Sequence, residues 1–319
     1  MENRIKEIIK KELKAEVLDI VKINEGFSHN IFLVKINKEP KEIILRFSNN
    51  SHKKWATLGK EEFVISLLRR NNIPAPKILA LDNDPEKGYM IQEKLSGKRL
   101  DTIWEKISRE EKIQITEKIG KLLADFHKIE FDKFGLIEDG GNIDFDKPFT
   151  FKKAGEVKPF SESIRQKYLD FMREFSIAIS FYHLNKEFII DFFAYIMRNI
   201  KEIEYSGKPV FTHCDLMLGH IFVEKINKEY KIIGIIDFEF AESTCPEYDF
   251  IKLHRKGFFE DKELLSALER GYGKEINKKA VEYHRLMRDF AFASVLLNSG
   301  DNKTAEEVFD SIKHRIKKD

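Results

Sequence analysis

Val210-Phe-Thr-His-Cys-Asp-Leu-Met-Leu-Gly-His-Ile-Phe-Val223, followed by Tyr230-Lys-Ile-Ile-Gly-Ile-Ile-Asp-Phe-Glu239, is the stretch on which the reading of this chain turns. Ile221–Val223 and Ile232–Ile236 are short apolar β runs, with a charged turn over 224–230 between them. A hairpin would bring their far ends together. Those ends carry Asp215 and His220 on one side and Asp237 on the other. Taken singly, Asp215 reads equally well as a loop carboxylate capping backbone N–H groups. His213 reads as a backbone-orienting histidine, and His220 alone as a structural one. Their joint spacing suits a metal-dependent transfer, in which one carboxylate orients a nucleophilic hydroxyl and the other groups hold a divalent cation over phosphates.

The stretch interrupts a helical region. From Ser96 onward helical periodicity dominates, with helices expected at 113–127, 163–181, 185–203, 261–272, 278–298 and 304–317. The first third is mixed. An amphipathic opening helix precedes strands at 17–23, 31–36 and 43–47, a helix at 60–70, and short strands at 78–81 and 89–92. Pro74 and Pro76 force the segment after the 60–70 helix to be extended. The expected boundary lies near 93–97. It divides an α+β chain into an N-terminal lobe, 1–95, with a small antiparallel sheet, and a mainly helical lobe, 96–319.

Composition narrows the partners. Lys and Arg number 56 against 54 Asp and Glu, so the net charge of +2 demands neither nucleic acid nor an anionic membrane. Two cysteines, Cys214 and Cys245, cannot make a disulfide framework, and reduced thiols in a cytoplasmic protein are expected. No segment has the length of a signal peptide or an apolar membrane span. No Gly-Lys pair completes a Walker A loop, and there is no G-x-G-x-x-G, G-x-S-x-G or H-E-x-x-H. A P-loop enzyme, a Rossmann dehydrogenase, an elbow-type serine hydrolase and a zincin are thereby set aside.

The segment from His213 to Val223 with Asp237-Phe238 resembles the signature of the aminoglycoside phosphotransferase family, small-molecule kinases with a two-lobed protein-kinase-like fold. His at position 220, where most of the family has Asn, resembles the 2''-aminoglycoside phosphotransferase type. The resemblance implies Asp215 as the catalytic base or orienter, and His220 and Asp237 as ligands of Mg²⁺, with Mn²⁺ as a softer option. It implies Ser28 in a nucleotide-covering loop, Arg46 on the phosphates, Glu61 as its ion-pair partner, and a hinge at Gln92, Glu93 and Leu95 facing the nucleobase. ATP or GTP would be the phosphoryl donor. Glu239 and the Cys245-Pro246 pair depart from the family's pattern.

The segment from Glu239 to Glu263 holds seven acids against four bases, as a polycationic acceptor would require, and Glu239, Glu242 and Glu247 become acceptor-binding candidates. A solvated acidic surface would read the same way. The expectation is a monomeric antibiotic-resistance kinase acting on an aminoglycoside. Its rivals are a metabolic kinase for choline, a methylthio-sugar or homoserine, and a nucleotide-binding pseudokinase.

Overall fold

A computed structural model describes residues 1–23, 30–48, 57–84, 86–141, 143–144, 186–203 and 205–317. Ser28 with its loop, and the helix expected at 163–181, lie outside the described residues.

Strands β1 (Val17–Ile23), β2 (Asn30–Ile36), β3 (Glu42–Phe47), β4 (Ile78–Asp82) and β5 (Tyr89–Glu93) form one antiparallel sheet in the order β1-β2-β3-β5-β4. The apolar stripe of helix α1 (Glu2–Leu13) buries Ile5, Ile8 and Ile9. They share a core with Phe32, Val34, Ile43, Leu45 and Phe47 of the sheet. Helix α2 (Leu58–Arg70) starts where the Thr57 hydroxyl accepts the Lys60 amide. Thr57 in turn donates to the Asp139 carboxylate, a residue from beyond the sheet. The N-terminal turn of α2 is therefore held from outside its own lobe.

The remainder is mainly helical. After β6 (Lys98–Arg99) and the single turn α3 (Leu100–Ile103) comes α4 (Arg109–Phe126), opened by a capping box between Ser108 and Glu111. Short strands β7 (Gly135–Ile137) and β8 (Ile143–Asp144) follow, then helix α5 (Lys186–Asn199). Strands β9 (Val210–Thr212), β10 (Ile221–Ile226), β11 (Glu229–Ile235) and β12 (Glu242–Thr244) carry the decisive stretch. Helices α6 (Glu247–Arg255), α7 (Lys262–Tyr272), α8 (Lys278–Ser299) and α9 (Asn302–Ile316) complete the chain. One core joins α2, α4, α7 and the central strands, and another joins α5, α6, α8 and α9. This is a bilobal α+β architecture, an antiparallel sheet lobe against a helical lobe.

The expected hairpin is present but longer. Its strands continue through the charged stretch, pairing Glu224 with Lys231 and Ile226 with Glu229. Asn227 and Lys228, at φ 51° and 71°, make the tight turn with both central residues left-handed. Charged side chains at the turn end of a hairpin stay in water while the backbone pairs, so charge alone did not mark the turn. Helix α6 was not foreseen, although Pro246 precedes it and Phe250, Ile251 and Leu253 supply its buried face.

Candidate functional site

Short strands lead into and out of the segment that holds Asp215 and His220, and the hairpin closes it. After β9 the chain turns sharply at Cys214, whose φ of 61° is uncommon for a residue with a side chain. The Cys214 amide donates to Asp249 Oδ1 at 2.8 Å, and its carbonyl accepts from the Arg288 guanidinium at 2.7 Å. Asp249 is fully buried and its other oxygen faces His127 Nε2 at 3.2 Å. Four elements thus converge on one backbone turn, which places Asp215.

His213 donates from Nε2 to the Ile236 carbonyl at 3.1 Å and accepts the Asp215 amide on Nδ1 at 3.3 Å. It orients backbone, and its ring lies 5.1 Å from that of the buried Phe238. The Ile236 amide donates to the His220 carbonyl at 3.1 Å, locking the two ends of the hairpin together. Asp237 follows directly, at φ 70°. Both outliers stand at the site, where the surrounding bonds hold a conformation of order 1–3 kcal/mol less favourable.

Asp215, His220 and Asp237 come together. His220 Nδ1 donates to the Asp215 carbonyl at 2.8 Å, and Nε2 lies 3.3 Å from Asp237 Oδ2. With its proton on Nδ1, the ring turns a lone pair toward a carboxylate oxygen. Two acceptors facing each other at that distance call for a cation or a proton between them. Burial and the neighbouring His213 push His220 below the usual imidazole range. Loss of water pushes Asp237 up, with His220 opposing and Glu61 adding to the rise. A neutral imidazole nitrogen and a carboxylate oxygen are chemically fit to ligate a divalent cation. Among the described residues no group of three or more His, Cys, Asp or Glu side chains is placed to hold a metal ion. Phosphate oxygens and water would therefore supply the other ligands.

The sheet lobe faces this trio with a buried ion pair. Arg46 on β3 meets Glu61 on α2 through both guanidinium ends, NH2 to Oε1 at 2.7 Å and NH1 to Oε2. Glu61 is wholly buried and Arg46 nearly so. Burial opposes the charge on Arg46, yet Glu61, Asp237 and Glu239 together raise its pKa. Among the described residues, buried Arg46 Nε and Gln92 Oε1 of the neighbouring strand meet no hydrogen-bond partner. Glu93 spends its carboxylate on the Lys77 amide at 2.7 Å, and Leu95 packs over Gly234.

Two lysines at the site escaped the sequence reading. Lys60, beside Glu61, is almost fully buried and donates from Nζ to the Glu239 carbonyl at 2.7 Å. Burial pulls its pKa down to about 8. Lys252 on α6 reaches Asp215, Nζ to Oδ1 at 2.6 Å. Nothing in a Lys-rich sequence separates these two from solvated lysines, because their partners lie far away along the chain.

The acids counted between Glu239 and Glu263 are largely engaged internally. Asp261 and Glu263 both bind Arg109, at 2.6 and 2.7 Å. Asp249 holds Cys214 and His127, and Glu239 is buried with its charge acting on Arg46. Glu242 lies in β12 opposite Thr212, and Glu247 opens α6.

A family model described as phosphotransferase enzyme family matches residues 19–288. Among solved structures, the gentamicin complex of APH(2'')-IIa is 17% identical with a TM-score of 0.66, the alignment covering 99% of this chain and 96% of that one. The GDP complex of aminoglycoside 2'-phosphotransferase-IIIa is 15% identical with a TM-score of 0.67, over 98% of each chain. The ADP–spectinomycin complex of APH(9)-Ia is 13% identical with a TM-score of 0.57, over 98% of this chain and 93% of that one. No curated protein matches the chain. These structures share the fold at identities too low to single out one subtype. The family match runs from the first strand of the sheet through the Cys214 turn and the hairpin into α8, and the chain belongs to the phosphotransferase enzyme family.

Proposed function

We propose that the chain transfers the terminal phosphoryl group of ATP or GTP to a hydroxyl of a small molecule. The observation that carries this reading is the convergence of Asp215, His220 and Asp237 on one side, with the buried Arg46–Glu61 pair opposite. Asp215 accepts the acceptor's hydroxyl proton. His220 and Asp237 hold Mg²⁺, or Mn²⁺ given the nitrogen ligand. When bound, that ion neutralises phosphate charge. Arg46, held by Glu61, addresses the phosphates, and Ser28 belongs to the loop that covers them. Gln92, Glu93 and Leu95 contribute the nucleobase edge. Residues 1–95 form the nucleotide-binding lobe and 96–319 carry the acceptor, in a cytoplasmic monomer. No helix among the described residues is long and apolar enough to cross a membrane.

An aminoglycoside is the first acceptor to test, since several structures sharing the fold are aminoglycoside kinases. Glu239, Glu242 and Glu247 are then the candidates to receive its ammonium groups, and resistance to the antibiotic follows. A metabolic hydroxyl acceptor of choline, methylthio-sugar or homoserine type is favoured by a different observation. Lys252 places an ammonium on Asp215, at the point where a polycation would have to approach. The experiment is an acceptor panel with purified protein, ATP or GTP and Mg²⁺, read by phosphate-labelled product. Phosphorylation of an aminoglycoside supports the first acceptor, and of a metabolic alcohol the second. Tight nucleotide binding without transfer to any acceptor would instead identify a pseudokinase.

A further inference from the structure

Helix α6 presents one face to the catalytic turn. Asp249 and Lys252, a helical i, i+3 pair, stand on the same side. Asp249 takes the Cys214 amide, and Lys252 takes the Asp215 side chain. The Asp215 backbone is fixed separately, its carbonyl accepting both His220 Nδ1 and the Met217 amide at 2.8 Å. What those bonds leave free is the side-chain torsion. Lys252 fixes it, with Nζ 2.6 Å from Oδ1, in a pair whose side chains are only 24% and 14% exposed. A long lysine side chain could have kept its charge in water. Here it turns inward to one carboxylate oxygen and leaves Oδ2 as the other.

We propose that Lys252 is a positioning residue for phosphoryl transfer, clamping Oδ1 of Asp215 so that Oδ2 alone meets the acceptor hydroxyl. This rests on the function proposed above. In the step it serves, the acceptor oxygen forms a bond to the terminal phosphorus. The bond from that phosphorus to the bridging oxygen breaks, its electron pair leaving with the nucleoside diphosphate. The acceptor's proton passes to Oδ2. Lys252 exchanges nothing. It restricts the carboxylate to the geometry in which that proton is within reach.

The test compares Lys252→Met, which keeps length and packing, with Lys252→Arg, each alone and combined with Asp215→Asn. Turnover, nucleotide KM and melting temperature are measured with ATP or GTP, Mg²⁺ and the acceptor found, or with water as the acceptor. Lys252→Met should lower kcat by about 10- to 100-fold with nucleotide KM within about twofold, the pattern of a lost positioning contact. Lys252→Arg should recover a substantial part of the loss. In the Asp215→Asn background Lys252→Met should cost nothing further, because its effect runs through that carboxylate. Wild-type kcat in Lys252→Met overturns the proposal. So does an equal loss in both backgrounds, or a loss of kcat fully explained by unfolding in Met and Arg variants alike. If wild type transfers and Asp215→Asn is dead while Lys252→Met is intact, only the role of Lys252 falls. If wild type transfers to no acceptor, water included, the functional reading falls and this role with it.

Discussion

Arg46 is built into the fold and, in the function proposed above, addresses the phosphates as well. Its guanidinium fork meets the Glu61 carboxylate end to end in a buried setting, a geometry a lysine cannot reproduce. Arg46→Ala would take the guanidinium away from the wholly buried Glu61 carboxylate, at a cost on the order of 3–5 kcal/mol. The expected result is a clear fall in melting temperature together with a raised nucleotide KM. Arg46→Lys should restore part of the KM and less of the stability. Calorimetry with nucleotide titration checks both, and an Arg46→Ala protein as stable as wild type would show that the pair is not formed. The backbone at Cys214 and Asp237 carries the same lesson. Side chains stand at φ 61° and 70° because Asp249, Arg288 and His213 supply the bonds that hold the two turns, directly at Cys214 and through the Ile236 carbonyl before Asp237.

Among the elements, α4 and α7 cross at unusually close range, with Gly120 and Gly271 at the contact. A methyl group on Gly271 would run into the Glu117 carbonyl of α4, and one on Gly120 into the Leu268 carbonyl of α7. Backbone cannot yield as a flexible side chain can. Gly271→Ala should therefore destabilise the protein by about 1–3 kcal/mol or more, against the gain of helix propensity that Ala brings on an open helix face. Urea denaturation measures it, and a neutral or stabilising Gly271→Ala would mean the helices are not in contact there. The same elements show what the sequence disclosed. Periodicity located α1, α2 and α4, each with one buried and one wet face, and short apolar runs located the five strands of the sheet. It missed α6, a short helix of nine residues between a proline and a glycine-ended turn, too short to establish a period. Periodicity alone did not pair Glu61 with Arg46; that expectation came from the family resemblance, and the structure buries Glu61 against β3. A contact across fifteen residues of chain leaves no local mark.

At the scale of the whole molecule, two lobes meet along bonds that no local pattern announces. Lys60 of α2 reaches the Glu239 carbonyl after the hairpin, and Asp139 holds the Thr57 cap. The convergence of Asp215, His220 and Asp237 was legible because their order and spacing are themselves the signal. The neighbours around them, Lys60, Lys252, Arg288 and Asp249, were not, since they come from α2, α6 and α8, outside that stretch of chain. Acid stability of the molecule reports on another such junction, where His254 of α6 packs against Arg285, Glu282 and Arg315, with Glu260 nearby. Burial, then the Arg285 charge, lowers its pKa to about 4. The unfolded chain takes up this proton near pH 6.5 and the folded chain only near pH 4. Stability therefore falls as pH drops through that window, by about 2 kcal/mol at pH 5 from this group alone. His254→Gln should flatten that slope in melts between pH 7 and 5, and an unchanged slope would show that His254 is not held neutral. The central claim is that Asp215 serves the acceptor while Asp237 serves the metal and nucleotide. The most direct measurement is transfer of labelled terminal phosphate by wild type, Asp215→Asn and Asp237→Asn, with nucleotide affinity measured in parallel with Mg²⁺. Asp215→Asn should lose transfer by at least about 100-fold while binding nucleotide within about twofold of wild type. Asp237→Asn should lose both transfer and metal-dependent binding. Near wild-type turnover in Asp215→Asn would contradict the assignment of that carboxylate to the reaction.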